Sequence, residues 1–171
     1  MSKGIELTQS QIKSYENGAT MFMFPLNNCN ILHSIDEFPI QKGDKDIYIK
    51  EEFGVSINGT TAYLKDYTKV DQRVIANLIV WKPASQMTKE QSRYTIKECI
   101  DVGIVRVQDI SIDEMVYMGQ DNKSILEEHN VVWHWIKEYY NNQLKEQNIN
   151  RTYEDNDYIF LCEVTPLKEV K

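Results

Sequence analysis

Apolar positions along this chain recur mostly with a period of two, and in two places with the 3.6-residue period of a helix. Thr8 followed by Gln11 is a capping box, and Ile12 and Tyr15 then share one helical face. Asn17-Gly18 predicts a left-handed end to that helix. Met21-Phe22-Met23-Phe24, stopped by Pro25, predicts a strand. Residues 26–46 read as loop, broken by Asn27-Asn28, Pro39 and Gly43-Asp44. The run Ile47 to Phe53 alternates and predicts one strand, with Ile47, Ile49, Glu51 and Phe53 on a common face. Asn58-Gly59 predicts a two-residue type I′ hairpin, with Thr61-Ala62-Tyr63-Leu64 as the returning strand. Ile75 to Trp81 is apolar and fits either a strand or a short helix.

From Trp81-Lys82-Pro83 the chain passes a polar break into a long strand from Arg93 to Val107. Tyr94, Ile96, Ile100, Val102 and Ile104 share one parity, and Val105 and Val107 the other. A phase change beside Gly103 predicts a β-bulge there, and a bulge bends a sheet towards a barrel. Ser111 caps a short helix with Asp113 and Glu114 in its first turn. Ser124 is expected to open the longest helix, with Ile125, His129, Val132, Trp133, Ile136, Tyr140 and Leu144 along one stripe. After a polar connection, Tyr158 to Val164 is apolar on both parities, as in a central strand, and Pro166 ends it. No repeat or composition break divides residues 1–171, so one domain is expected, with a helical insertion near 123–147.

Composition narrows the function classes. With 171 residues, 42% of them hydrophobic, the chain can bury a sizeable core. No apolar run reaches the roughly 20 residues of a membrane span, and the first residues lack the apolar core of a secretory signal, so a cytoplasmic protein without membrane contact is expected. Cys29, Cys99 and Cys162 form neither a disulfide framework nor a zinc pair. Cys29 with His33, and His129 with His134, lack the spacing and number of ligands a metal needs, and neither metal nor cofactor is expected. A net charge of −7 argues against non-specific gripping of nucleic acid. It suits a protein acting on a small ligand, a single nucleotide or another protein.

Four segments together resemble the ASCH family, a branch of the PUA-like β-barrels, and most nearly its phage-encoded members. They are the helix ending at Gly18 before a strand, Pro39 through Gly43-Asp44 into Ile47–Phe53, Tyr63-Leu64-Lys65-Asp66, and Trp81-Lys82-Pro83 through Ser111. The strand at Tyr158–Val164 also fits. The resemblance implies an α+β fold, a PUA-like partly closed β-barrel flanked by helices, and a binding module for RNA or a nucleotide-like ligand. It implies the host cytoplasm if the chain is phage-encoded. The family's basic loop after the first helix is missing, because the matching residues read Gly18-Ala19-Thr20-Met21-Phe22-Met23-Phe24-Pro25. A related ASCH enzyme hydrolyses the amide of N4-acetylcytidine with a Lys and a Thr from that loop and a Glu. Thr20 stands at the Lys position and Met21 at the Thr position, so no catalytic residue carries over.

The candidate ligand residues are Glu51, Lys50, Tyr63, Trp81, Lys82 and Thr20. Glu51 is a carboxylate on an apolar face, which needs a partner or a cleft. It is read either as an acceptor for a base amino group or as one half of an ion pair with a residue such as Arg93. Lys50, Lys65 and Lys82 form a prospective basic rim for phosphate, or plain solvated surface. Trp81 and Tyr63 are candidates to stack on a base, or core aromatics. Thr20 lies in the loop where the family places its ligand. Cys99 falls on the polar parity of its strand, with nothing near it in sequence to lower its pKa. The Met21–Phe24 run is either core or a protein interface, and Trp135 and Tyr139 lie off the helical stripe, where either a partner would meet them or the 148–156 loop would cover them. The expected function is therefore a non-catalytic binding module. The alternatives are contact with a host or phage protein, or an amidohydrolase of modified pyrimidine nucleosides whose Lys and Thr are absent.

Overall fold

The computed structural model describes residues 3–26, 34–75, 78–119, 131–150 and 157–167. The fold is mixed α+β, with strands in two sheets and four α-helices, and no closed barrel forms among the described residues. The strands are β1 (Gly4–Glu6), β2 (Met21–Pro25), β3 (Lys45–Lys50), β4 (Phe53–Ser56), β5 (Thr61–Tyr63), β6 (Ile79–Lys82), β7 (Thr95–Arg106) and β8 (Tyr158–Val164). The helices are α1 (Gln9–Glu16), α2 (Lys69–Val74), α3 (Ile112–Tyr117) and α4 (Val131–Glu146). The large sheet has the order β1-β3-β7-β8-β2 and the small one β5-β4-β6. No helix among the described residues is long and apolar enough to cross a membrane.

The large sheet is covered on both faces along β2 and β8. Phe22, Phe24, Phe160 and Cys162 belong to one buried cluster with Ile12 and Tyr15 of α1. Met21, Met23, Ile159 and Leu161 belong to the other, with Ile136, Tyr140 and Leu144 of α4. Period-two alternation therefore sends successive residues into two different cores, and every residue of β2 is buried. The Met21–Phe24 run is core. It offers no interface, although β2 sits at the edge of its sheet.

Local signals were realised at the helix ends. Thr8 accepts from the Gln11 amide while the Gln11 side chain accepts from the Thr8 N–H, and Ser111 and Glu114 repeat the arrangement at α3. Gly18, at φ 100°, makes the left-handed turn that lets the chain reverse into β2. Three expectations need correction. The strand expected over 47–53 is two strands: β3 ends at Lys50 in the large sheet and β4 begins at Phe53 in the small one. The hairpin at Asn58-Gly59 is not a two-residue I′ turn. The Gly59 amide bonds the Ser56 carbonyl at 2.9 Å and only Gly59, at φ 84°, is left-handed, which is the longer loop with a glycine bulge.

The bulge in β7 lies between Cys99 and Asp101, not beside Gly103, which pairs regularly with Leu161. The extra residue turns Cys99 inward, fully buried, and leaves Ile100 39% exposed. The change of parity at Val105 has another cause: both faces of β7 are apolar there because Ile104 packs on one core and Val105 on the other. Strand β1, pairing parallel with β3 and burying Ile5, was not expected at all. The expected start of the long helix at Ser124, the stripe residues Ile125 and His129, and Cys29 with His33 lie outside the described residues, as do the side chains of Val132, Trp133, His134 and Trp135.

Candidate functional site

The chain passes between its sheets at two places before β8, and these crossings build the site. The first is the pair Glu51-Glu52 between β3 and β4. The second runs from Pro83 to Tyr94, between β6 and β7. A cavity of about 850 Å³ opens beside both crossings. Its lining takes Gly4 to Thr8 from β1 and the segment after it, Lys50 from the end of β3 and Glu52 from the first crossing, and Trp81 to Ala84 from the end of β6 and the start of the second crossing. Phe24, Pro25, Phe38, Pro39 and Phe160 supply apolar wall, and Glu146, Gln147 and Asn148 at the end of α4 close the set.

Glycines shape two of these contacts. A Cβ on Gly4 would lie 2.6 Å from the Tyr48 ring and 2.7 Å from Cε of Lys50, so a larger residue there would make that ring and the lysine stem shift from their places over β1. The Lys50 ammonium then sits 5.7 Å from the centre of the Tyr48 ring. A Cβ on Gly54 would lie 2.8 Å from Cε3 of Trp81, so the indole rests directly on the β4 backbone. Tyr67 meets the indole edge-on at 5.6 Å between ring centres. The Nε1 proton of Trp81 is buried and has no hydrogen-bond partner among the described residues. Phe38 joins Phe24 and Phe160, each 5.0 Å away between ring centres.

Lys50 and Lys82 both line the cavity, and neither forms an ion pair among the described residues. Glu6, Glu52 and Glu146 line it too, so its charge is mixed and not uniformly basic. Three carboxylates against two ammonium groups leave no net positive field there to hold a long polyanion.

The six sequence candidates separate into three groups. Lys50, Trp81 and Lys82 meet at the cavity. Glu51 and Tyr63 instead flank Arg93, and the ion-pair reading of Glu51 is the one realised. Both Glu51 oxygens accept from the guanidinium, at 2.8 and 2.9 Å, and Asp66 accepts from it at 2.8 Å. The Tyr63 and Tyr94 rings lie 4.2 and 5.0 Å from the guanidinium carbon. Tyr63 also donates to the Gln91 carbonyl at 2.7 Å. Burial pushes the Glu51 carboxyl above its ordinary range, and the hydrogen bonds and charge of Arg93 only partly counter this. Burial opposes the charge on Arg93 too, but the bonds to Glu51 and Asp66 outweigh it and hold the guanidinium firmly protonated. Thr20 forms the third group: its amide donates to the Tyr117 carbonyl and its carbonyl accepts from Val164, away from the cavity lining. Lys65, expected on the basic rim, pairs with Glu16 and Asp66 beside the Arg93 cluster.

Sequence reasoning missed Phe24, Phe38, Phe160, Glu6 and Glu146 as cavity residues. Phe160 looked like any strand residue and Glu146 like a solvated helix end; they come together only through tertiary packing. Cys99 and Cys162, read as unremarkable thiols, are both fully buried with sulfurs 3.8 Å apart. Among the described residues no cluster of His, Cys, Asp or Glu has the makings of a metal site.

Fold and site together define an α+β protein with an open, mixed-charge cleft beside the crossings of two sheets. No family model, curated protein or solved structure matches the chain.

Proposed function

We propose that this chain is a non-catalytic binding module whose cleft takes a nucleotide-sized ligand. The observation that carries the reading is the convergence of Trp81, Lys50 and Lys82, from both sheets, on one cavity of about 850 Å³. That volume lies in the range of roughly 300–1,000 Å³ typical of small-molecule sites. A heterocyclic ring would pack beside Trp81 and the phenylalanines, and a phosphate would lie between the two unpaired ammonium groups. The carboxylates of Glu6, Glu52 and Glu146 favour a mononucleotide over RNA.

The resemblance to ASCH proteins belongs to the same proposal, with the two sheets read as a PUA-like barrel left open at the cleft. Amide hydrolysis is no part of it, since Thr20 and Met21 replace the family's Lys and Thr. Isothermal titration at low salt with nucleosides, nucleoside 5′-monophosphates and a short RNA tests the reading. Saturable binding of a monophosphate, weakened by Trp81→Ala and by the double change Lys50→Gln, Lys82→Gln, supports it. Absence of binding by every member of the panel at millimolar concentration refutes it.

One observation favours a second reading, contact with another protein. On the small sheet Ile57, Leu78 and Val80 are 85%, 52% and 68% exposed, and Ile57 donates its amide to the Leu78 carbonyl. A nuclease-resistant complex lost on Ile57→Ser, Val80→Ser would support that role.

A further inference from the structure

The residues that line the cleft and the residues that grip Arg93 alternate along the same short stretches. Lys50 and Glu52 line the cleft, while Glu51 between them turns the other way into the Arg93 fork. Pro83 and Ala84 open the second crossing at the cleft, and Arg93 stands near its far end. The second crossing is bonded to the end of β3 at two points. Ser92 donates its hydroxyl to the Ile49 carbonyl at 2.7 Å, and the Ile49 amide donates to the Tyr94 carbonyl at 3.0 Å. Tyr63 and Asp66 bring the small sheet to the same place, through Gln91 and Arg93.

Within this set Arg93 has a distinct part. It bonds both the first crossing, through Glu51, and the turn that follows β5, through Asp66, while its own backbone leads into β7 of the large sheet. We propose that Arg93 is a positioning residue for the cleft: by holding Glu51 it locks the two crossings together and fixes Lys50 of the large sheet relative to Trp81 and Lys82 of the small one. A planar fork held by two oxygens and flanked by two aromatic rings resists rotation, which a lysine ammonium would not. The cleft then reaches its ligand already formed, and affinity is not spent on ordering it. The inference rests on the cleft being the ligand site.

The test compares wild type, Arg93→Met, Arg93→Lys and Leu144→Ala, the last a change in the core between α4 and the large sheet, at a residue outside the cleft lining, that lowers stability by general means. The first readout needs no ligand: hydrogen exchange of the Trp81 indole proton by NMR, assigned through Trp81→Phe. The second is the affinity for AMP. Arg93→Met is expected to speed exchange and weaken AMP binding by about tenfold each, with Arg93→Lys between it and wild type and Leu144→Ala within about twofold of wild type. Exchange in folded Arg93→Met within about twofold of wild type overturns the proposal, as does equal acceleration in Leu144→Ala. If Arg93→Met does not fold, Arg93→Lys decides, because the ammonium keeps the charge beside Glu51 and Asp66 and loses the planar fork. Exchange about threefold faster supports the proposal, and unchanged exchange overturns it. If wild type binds no AMP while Arg93→Met still frees the indole proton, the ligand reading fails and the positioning role stands.

Discussion

Replacing Glu51 by alanine should be among the most damaging single changes to this protein. Its side chain is 2% exposed and accepts two bonds from Arg93, whose own side chain is 19% exposed. Removing one partner of a buried pair costs about 3–5 kcal/mol, because the other charge is left uncompensated. Here Asp66 remains against Arg93 and some solvent reaches it, so the expected loss is smaller, about 2–3 kcal/mol. For a chain of this size each kcal/mol moves Tm by about 2–4 °C, which puts the fall at roughly 5–10 °C. Glu51→Leu combined with Arg93→Met leaves no charge to strand. It should cost at least ~1.5 kcal/mol less than the sum of the two single changes. Urea unfolding at neutral pH, followed by circular dichroism with the m-value checked for constancy, measures all four corners of the cycle. A Glu51→Ala midpoint within about 0.5 kcal/mol of wild type at unchanged m would refute the argument, since the pair would then be a solvated surface contact.

Gly54→Ala should destabilise by about 1–3 kcal/mol through overpacking and should change Trp81 fluorescence, because its methyl would meet Ile79 Cγ2 at 2.3 Å as well as the indole. Leu144→Ala should cost about 2–5 kcal/mol in the same urea assay, since Leu144 is fully buried against β2 and β8. The pH dependence should carry two opposite signs. Burial raises the Glu16 carboxyl, but bonds from Lys65 and Tyr94 outweigh it, and Lys3 with the Gln41 amide lowers Asp44. Their stabilisation is present above the ordinary carboxylate range near ~4 and is lost as pH falls through their lowered values. Glu51 is raised, so its contribution is full below that range and is lost as pH rises through its higher value. Urea midpoints measured across the acid range should therefore show Glu16→Gln removing part of the acid loss. Glu51→Gln should flatten the slope just above the ordinary carboxylate range, and an unaltered slope would count against the raised Glu51.

Features decided within a few residues were legible in the sequence. The capping box at Thr8, the cap at Ser111, the left-handed Gly18 and the doubly apolar β8 each follow from local chemistry, and each stands where the pattern placed it. The break at Glu51-Glu52 was hidden because the alternation of Ile47, Ile49, Glu51 and Phe53 runs through it without losing phase. Burial parity survives a change of sheet, so parity alone cannot reveal one. The bulge at Ile100 was masked by an apolar residue that the bulge itself turns outward. At the site, Glu51 was rightly marked as needing a partner, and Arg93 was among the partners considered. The cavity's aromatic wall was invisible because Phe24, Phe38 and Phe160 come from three distant segments, each explicable as ordinary core.

The strand order of the large sheet has a consequence for how the chain is made. Among the described residues β2, near the start, pairs only with β8, and most of β7 pairs with β8 as well. While the ribosome is still producing α4, both strands expose unpaired backbone, and the core on either side lacks Ile159, Phe160, Leu161 and Cys162. The nascent chain therefore holds an apolar strand, Met21-Phe22-Met23-Phe24, unsealed through nearly the whole of synthesis. Folding becomes a late, concerted closure that depends on contacts distant in sequence. The open strand is exposed to aggregation until β8 emerges, so chaperone supply during synthesis should bear on the folded yield.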